Sequence, residues 1–338
     1  MSDRHNQPSP VTATRQESAA ASGTATHAAS AAVVSTVPTV KPLPVPPIVF
    51  LIIGVLAVSF SAILIKWSSA PAAVLGLWRL VITFLILCPI LFTKNSRAEL
   101  RSFTLRTWVL VAASGVCLAL HFILWIGSLK YTTVASSTIL ITLQPIFVMV
   151  LAYFTLKERT TWRAWAGAGI AIIGSLFIGW GDLRISGDAL WGDLLSLLGT
   201  LTVSGYLVIG QHLRNAQQGM SSFVYSLLVY VFAILVMFFY CIGEGYPLVD
   251  YNRHEWMLFV LLAIIPTVFG HTLFNWLLKY VNAATISMAI LGEPIGATIL
   301  AFLLLGEAVI AAQWVGGAVI MCGIWLFLST RDKRSFTE

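Results

Sequence analysis

Charged side chains are scarce in this chain. Only 10% of its 338 residues are Asp, Glu, Lys or Arg, whereas 58% are hydrophobic. A typical soluble domain is about 25% charged, and so few charges cannot cover a water-exposed surface. The composition therefore excludes an ordinary soluble protein and predicts an integral membrane protein surrounded by the lipid bilayer.

Metal-ligand and nucleotide-binding patterns are missing too. Four cysteines fall inside apolar runs and show no metal-ligand spacing: Cys88, Cys117, Cys241 and Cys322. No phosphate-binding GxxxxGK(S/T) motif occurs, so ATP is not expected as the direct energy source. We expect no cofactor and no metal. The net charge of +6 is interpreted as loop charge that orients the chain in the membrane, not as a nucleic-acid-binding surface.

Both ends of the chain differ from its apolar middle. Residues 1–46 are rich in Ala, Ser, Thr and Pro without hydrophobic periodicity, which predicts a disordered N-terminal tail. They lack the apolar core of a secretory signal, and their Ser/Ala bias with few acids weakly resembles an organellar transit peptide. Residues 329–338 are predicted to form a short cytoplasmic C-terminal tail.

Ten apolar runs between the tails are long enough to cross a bilayer as helices, which takes about 20 residues each. They lie at 48–66, 72–92, 107–128, 133–155, 162–180, 190–210, 221–242, 256–278, 283–304 and 310–328. Lys and Arg concentrate at 94–106, at 157–163 and near the C-terminus, which predicts that both termini are cytoplasmic. We expect a multi-pass protein of the bacterial inner membrane, with an organellar membrane as the alternative.

Two segments repeat each other without a gap. Residues 129–174 align on 278–323, with shared Lys-Tyr, Pro, Glu, Trp and Gly residues at one constant offset. The sequence therefore predicts an all-α membrane protein built from two five-helix repeats, 47–181 and 182–328. Because five is odd, the second repeat enters the membrane from the opposite side. Inverted repeats are typical of secondary transporters, which bind substrate near the midplane between the halves.

Three stretches of the chain resemble the drug/metabolite transporter superfamily, specifically its ten-helix EamA type. They are "LWRL" with Arg79, "LQPIFVMVLAYFTLKERTTWRAWAGAGIAIIG", and "EPIGATILAFLLLGEAVIAAQWVGGAVIMCG" from Glu293 onwards. The resemblance covers about 47–328 and implies export or uptake of amino acids, other metabolites or drugs, with export favoured. The second half has "LGEA" at 305–308, whereas the first half departs from the family pattern with "LKER" at 156–159.

Glu293 lies near the centre of the ninth predicted helix, where an ionised side chain costs about 2.5–3.5 kcal/mol. Arg79 is the only Lys or Arg deep inside a predicted helix. The helical rise places the two residues within about 5 Å of the same depth. One interpretation is a structural ion pair between the second and ninth helices. The other places Glu293 on a central cavity, where it binds a substrate ammonium group or a coupling proton.

Pro145 and Pro294 occupy equivalent positions in the two repeats. Each removes a backbone donor and frees a carbonyl one turn back, which a membrane helix tolerates where protein or cavity water satisfies that carbonyl. Paired breaks indicate a binding site at the repeat interface; the alternative is ordinary kinks that improve packing. Gln144, the counterpart of Glu293, is a candidate cavity residue because its amide both donates and accepts.

Histidine and aromatic side chains complete the candidate site. His121 and His271 lie one residue out of register across the repeat; they either titrate near neutral pH and bind substrate, or pack as ordinary satisfied residues. Asn275 is one turn after His271. The aromatic candidates for lining an apolar cavity are Trp78, Trp125 and Tyr206, for which packing or lipid contact is the alternative.

Small residues recur four apart in the fifth and tenth predicted helices, at Gly167/Ala171/Ser175 and at Ala318/Cys322. Such faces let two helices approach closely. In the family that the chain resembles, these helices lie outside the central cavity. We therefore expect packing contacts or a homodimer through them, not substrate contacts.

The sequence as a whole favours a non-enzymatic secondary transporter that moves a small-molecule substrate by alternating access through a central cavity. A membrane enzyme, such as a lipid or acyl transferase, is one alternative, but the loops offer no paired nucleophile and base. A membrane scaffold without transport is the other. A scaffold leaves the paired prolines and the intramembrane carboxylate without a purpose.

Overall fold

The computed structural model describes residues 44–128, 131, 132, 137, 140–179, 187–215, 220–306 and 311–329. Within these ranges the chain is helical and forms no strand, and all of them fall in one compact unit, Leu43–Thr337. The predicted N-terminal tail up to residue 43, the boundary at 181/182 and the C-terminal tail from residue 330 lie outside the described residues.

Helices follow one another along the chain with short connections. The first part contains α1 (Pro47–Trp67), α2 (Ala72–Leu87), a 3-10 turn (Cys88–Phe92), α3 (Lys94–Arg101), α4 (Leu105–Ser128), α5 (Gln144–Leu156) and α6 (Trp162–Gly179). The second part contains α7 (Gly187–Asn215), α8 (Ser222–Gly243), α9 (Arg253–Leu262), a π-helical segment (Ala263–Thr272), α10 (Leu273–Leu277), α11 (Ala283–Ile290), α12 (Glu293–Leu305) and α13 (Ala311–Ser329).

Apolar length along these helices identifies membrane spans. Among the described residues, eight spans are long and apolar enough to cross a bilayer, and α5 is a shorter apolar helix of 13 residues. Many large apolar side chains face outwards, among them Leu85, Phe154, Phe239 and Trp325. Lipid covers such a surface at no cost, so the chain is a multi-pass membrane protein. The count of ten spans stays a prediction.

Helices of the two predicted halves interleave. Helix α1 packs on the π-helical segment and on α12, while α7 packs on α4 and on α5. Helices α2 and α8 pack together, as do α6 and α13. The buried aromatic core lies among these helices and contains Tyr206, Tyr225, Tyr230, Phe259 and Phe274.

The α6–α13 contact is so close that only glycine fits it. A Cβ added at Gly174 would lie 2.6 Å from the Ile320 amide nitrogen, and one at Gly323 would lie 2.5 Å from the Ala171 nitrogen. The small-residue face of α6 therefore packs within the chain. On α13 the predicted small-residue pair does not face α6: Cys322 is exposed, and Gly323 lies on the packed face instead. A homodimer through these helices stays a prediction.

Broken helices appear at both predicted prolines. Residues 291–292 form a turn between α11 and α12, and residues 142–143 form the equivalent turn before α5. Pro145 and Pro294 then lie in the first turn of α5 and α12, where a proline costs no helical hydrogen bond. The prolines begin new helices, so both breaks are two-residue turns and not kinks within a continuous helix.

Candidate functional site

Glu293 begins α12, one residue before Pro294. The free N–H groups and positive dipole end of a helix favour a carboxylate in the first turn, which offsets part of the cost of burying it. The side chain is half-buried. Among the described residues its carboxylate forms no hydrogen bond and no ion pair, and its electrostatic partner is Arg79. Glu293 is thus a carboxylate without a direct partner inside the helix bundle.

A buried serine from a neighbouring helix supports each broken helix. Ser59 of α1 donates to Val55 O at 2.8 Å and lies 3.3 Å from Glu293 O. Ser204 of α7 donates to Thr200 O at 2.7 Å and lies 3.4 Å from Gln144 O. Sequence reasoning missed both serines. Their signal was a hydroxyl side chain within an apolar helix of each half.

Arg79 is held by the π-helical segment. Pro266 cannot donate to the Leu262 carbonyl one turn earlier, and the Thr267 hydroxyl donates to that carbonyl at 2.8 Å instead. The Thr267 oxygen in turn accepts from Arg79 Nε at 3.0 Å. The Arg79 guanidinium carbon lies 5.0 Å from the ring centroid of Phe122. Pro266 and Thr267 were not predicted; a proline inside the eighth apolar run was the available signal.

The expected ion pair between Arg79 and Glu293 is not formed, although both residues are described and their charges interact. Arg79 uses its Nε on Thr267, and its Nη2 is buried without a hydrogen-bond partner in the described part of the chain. The structural interpretation is therefore corrected: α2 is fixed to the π-helical segment, not to α12. Both charged groups keep unused capacity for a ligand.

A cavity of about 20 Å³ lies beside Arg79. Its other lining includes the aromatic side chains of Phe122 and Trp125 and the aliphatic side chains of Ile65, Leu75 and Leu262. Trp125 Nε1 is buried and has no partner among the described residues. The same holds for the side-chain nitrogen of Gln144, which is 3% exposed. Three of the predicted residues thus carry unpaired donors.

The two histidines differ in their hydrogen bonds and ring contacts. Nδ1 of His121 lies 3.0 Å from Gly199 O, and because a carbonyl only accepts, this nitrogen donates and links α4 to α7. The ring also stacks on Trp125 with centroids 6.0 Å apart. His271 is half-buried, packs edge-on against Phe122 and forms no hydrogen bond with a described residue. Among the described residues, no three His, Cys, Asp or Glu side chains are placed to hold a metal ion.

Three predicted residues belong to separate contacts. Tyr206 donates to Asn275 Oδ1 at 2.6 Å, and Asn275 Nδ2 donates to Ser226 at 3.0 Å. This network is buried and joins α7, α10 and α8. Trp78 donates its Nε1 to Leu248 O at 2.6 Å. All three side chains already have partners, so they have less to offer a ligand than Arg79, Trp125 or Glu293.

Carboxylates form hydrogen bonds between elements at both ends of the bundle. Glu255 of α9 is 3% exposed and accepts from Ser68 Oγ and from the amide and hydroxyl of Ser69 at 2.8 Å, where α1 joins α2. At the opposite end, Glu99 accepts from the Ser221 amide at 2.6 Å, where α7 joins α8.

Glu158 lies at the same end of the bundle as Glu99. It accepts from the side-chain amides of Gln211 and Asn282, and so ties the end of α5 to α7 and to the start of α11. Sequence reasoning missed these closing contacts because loop acids near a membrane surface usually face water.

Comparison with known proteins identifies the family of this chain. Residues 45–180 and 190–329 each match the EamA-like transporter family. The chain belongs to this family. It is therefore an EamA-type membrane transporter of the drug/metabolite transporter superfamily, as the resemblance implied. The two matches cover most of the chain and leave out the N-terminal tail.

Two relatives of this EamA transporter are named as transporters. The uncharacterized transporter YoaV of Bacillus subtilis (strain 168) is 24% identical over 257 residues, which span 76% of this chain and 87% of YoaV. The uncharacterized transporter sll1164 of Synechocystis is 25% identical over 251 residues, 70% of this chain and 71% of that protein. A solved crystal structure at 16% identity matches with a TM-score of 0.71 and covers 86% of this chain and 98% of that one, which shows the fold alone.

Proposed function

We propose that this EamA transporter is a secondary transporter of small organic metabolites, amino acids or related solutes, with export favoured. It works by alternating access through a central cavity between two inverted five-helix repeats, 47–181 and 182–328. The chain lies in the inner membrane with both termini cytoplasmic; an organellar membrane is the alternative that the tail composition leaves open. A membrane enzyme or a scaffold is the competing class of function.

Helix pairing supports the inverted repeat. If each helix is replaced by its counterpart in the other predicted half, the contact of α1 with the π-helical segment corresponds to the contact of α7 with α4. In the same way, the α1–α12 contact corresponds to the α7–α5 contact. Between the equivalent helices α6 and α13, Gly167 meets Gly323 whereas Gly174 meets Gly316. The residue numbers run in opposite directions, so these equivalent helices are antiparallel, as inverted repeats require.

The observation that carries the proposal is the unpaired carboxylate of Glu293 at a helix break inside the bundle. An intramembrane acid without a structural partner is expensive to retain. Its counterpart Gln144 shows that the fold itself accepts a neutral amide at this position. We infer that Glu293 binds a coupling proton or a substrate ammonium group, and that Arg79 sets the local potential.

Closure at both ends supports alternating access. The Glu255 contacts close the end where α1 joins α2, and the Glu99 and Glu158 contacts close the other end. The cavity beside Arg79 holds about one water molecule. This conformation is therefore interpreted as an occluded state, which opens to one side when one set of end contacts is released.

Flux in proteoliposomes tests the proposal. Wild type is compared with Glu293→Gln across a panel of amino acids and amphipathic metabolites, with a pH gradient imposed or withheld. We expect wild type to move at least one solute and Glu293→Gln to lose the pH-driven component at least about tenfold, the size of effect typical for loss of a proton-transfer group. Glu244→Gln, which alters an exposed acid, is the control and should behave as wild type.

Three results would count against the proposal. Undiminished pH-driven flux in Glu293→Gln removes the proposed coupling role. Unfolding of the variant in detergent shows that the carboxylate is structural after all. If no solute on the panel moves, the transport of amino acids and related metabolites is not supported.

A further inference from the structure

A groove of about 450 Å³ lies where α5 is joined to α6, away from the candidate site. Two of its lining residues belong to α5, two to the connecting segment and one to α6: Met149, Tyr153, Arg159, Thr160 and Trp165. The volume is in the range of ligand-binding clefts, about 300–1,000 Å³. The proposed transport cycle does not use this groove.

Four of the five lining side chains carry a hydrogen-bond donor, and none of these donors has an acceptor among the described residues: Tyr153, Arg159, Thr160 and Trp165. The acid next to them is already in use, because the two oxygens of Glu158 accept from Gln211 and Asn282. The lining therefore suits a ligand that carries negative charge and accepts hydrogen bonds without donating any.

The groove changes from polar to apolar along its length. Arg159 and Thr160 follow the end of α5, whereas Met149 lies seven residues before that end, about 10 Å along the helix axis. Tyr153 and Trp165 lie about one helical turn from the connecting segment and are exposed. Such rings concentrate at the headgroup level of membranes. A phospholipid has the same order, with its phosphate at the membrane surface and its acyl chains below.

Comparing the two halves separates the groove's charge from the fold. The internal repeat aligns Trp165 on Trp314, but it aligns Arg159 on Ala308 and Thr160 on Val309. The tryptophan is thus common to both halves, while the base and the hydroxyl occur only in the first. Lys157 and Arg163 add two more exposed bases to the same short segment. Negatively charged lipids attract basic segments of this kind.

We propose that this groove binds one anionic phospholipid, with the phosphate at Arg159 and Thr160 and an acyl chain along Tyr153, Trp165 and Met149. In the proposed orientation the lipid belongs to the cytoplasmic leaflet. The apolar part of the groove favours a lipid over a free phosphate ion, which has no chain to cover it. Because Arg159 follows Glu158 directly, the lipid lies beside the contacts that tie α5 to α7 and to α11.

Lipid titration of the purified full chain in detergent tests the site. Phosphatidylglycerol is compared with phosphatidylcholine carrying the same acyl chains. Native mass spectrometry counts the retained lipids, and thermal unfolding measures their effect. We expect wild type to retain one phosphatidylglycerol per chain at least about fivefold more tightly than phosphatidylcholine, the effect of about one basic side chain at a charged lipid surface. Inorganic phosphate and glycerol 3-phosphate at the same concentrations should neither raise the unfolding temperature nor displace the lipid.

Paired variants assign the two parts of the groove. Arg159→Gln should abolish the fivefold preference for phosphatidylglycerol. Arg101→Gln is the matched control, because Arg101 is an exposed base at the same end of the bundle that does not line the groove, and it should keep the preference. Trp165→Ala should weaken both lipids by a similar factor, because both share the apolar contact. Its counterpart Trp314→Ala should weaken neither.

Four results would overturn the lipid site. They are equal retention of the two lipids by wild type, equal loss of preference in Arg159→Gln and Arg101→Gln, and stabilisation by inorganic phosphate as strong as that by phosphatidylglycerol. The fourth is a changed monomer–dimer ratio in Arg159→Gln with unchanged lipid retention, which would mean that a second copy of the chain covers the groove. The site does not depend on the proposed transport, since lipid retention is measured without flux and flux through Glu293 without added anionic lipid.

Discussion

Helices α5 and α12 share a backbone design and differ in charge. Each follows a two-residue turn, begins with a polar residue and a proline, and has a serine of a neighbouring helix near its first carbonyl. Each ends in a left-handed residue, Lys157 with φ 60° and Gly306 with φ 69°. The first polar residue is Gln144 in α5 and Glu293 in α12.

What the two helices share belongs to the fold, and what separates them belongs to the site. If breaking a helix required an acid, both breaks would carry one. Because Gln144 makes the same break without charge, we propose that the carboxylate of Glu293 serves proton or substrate binding and not the break itself. The comparison therefore gives two kinds of test: equal effects where the halves match, and unequal effects where they differ.

The largest effect is expected where α6 meets α13. Gly174→Ala places a Cβ 2.6 Å from a backbone nitrogen of α13, and Gly323→Ala places one 2.5 Å from a backbone nitrogen of α6. Backbone atoms cannot move aside as a flexible side chain can. Each should destabilise the protein by about 3 kcal/mol, to a similar extent in both halves. Thermal unfolding in detergent measures this.

Gly169→Ala is the control for both glycine variants, because a Cβ there meets nothing within 4 Å. It should leave the unfolding temperature unchanged or slightly higher. A large loss in only one of Gly174→Ala and Gly323→Ala would show that the halves do not pack symmetrically.

These glycines show which features the sequence could predict. The apolar runs, the two breaks and the close approach of α6 follow from local composition and from the internal repeat. Arg79, Trp125 and Glu293 could also be selected, because polar groups in apolar helices are rare. The contacts that these residues make could not be predicted. Which donor remains unpaired depends on contacts with Thr267 of the π-helical segment, and no local pattern predicts that Pro266 produces this geometry.

The carboxylate contacts at the ends of the bundle could not be predicted from the sequence for a similar reason. Glu255 and Glu158 look like ordinary loop acids in the sequence, and only tertiary packing places Ser69 and Gln211 against them. The family could be predicted from doubled motifs, whereas the solute could not, since the motifs describe helix packing.

The second largest effect is expected from a variant that gives the first half the acid of the second half. Gln144→Glu places a carboxylate at a site 3% exposed, away from the support that Arg79 gives Glu293. We expect a loss of stability of about 2.5 kcal/mol. Glu293→Gln, the reverse change, should cost less than half of that. Equal losses in thermal unfolding would contradict the assignment of Glu293 to function.

A smaller and symmetric effect is expected from the two serines. Ser59→Ala and Ser204→Ala each remove a buried hydroxyl near the first carbonyl of a broken helix. Interhelical hydrogen bonds in membranes contribute about 0.6 kcal/mol on average. Because each hydroxyl donates mainly within its own helix and reaches the neighbouring carbonyl only at 3.3 or 3.4 Å, each variant should lose at most about that amount, and the double variant their sum. Ser175→Ala is the control, since that hydroxyl donates only to Ala171 O in its own helix. Strong coupling in the double variant would contradict independent support of the two breaks.

The smallest effect concerns the turn where the two motifs differ. Lys157 adopts φ 60° and ψ 23°, close to φ 69° and ψ 19° at Gly306, so α5 and α12 end in the same left-handed conformation. A side chain in this conformation costs about 1 kcal/mol, and a change to glycine would remove that cost. Part of this stabilisation is lost again because glycine has more conformational freedom in the unfolded chain. Lys157→Gly should therefore stabilise the protein by about 0.5 kcal/mol, while Gly306→Ala should destabilise it. Thermal unfolding that shifts both variants in the same direction would show that the two turns are strained differently, despite their matching dihedral angles.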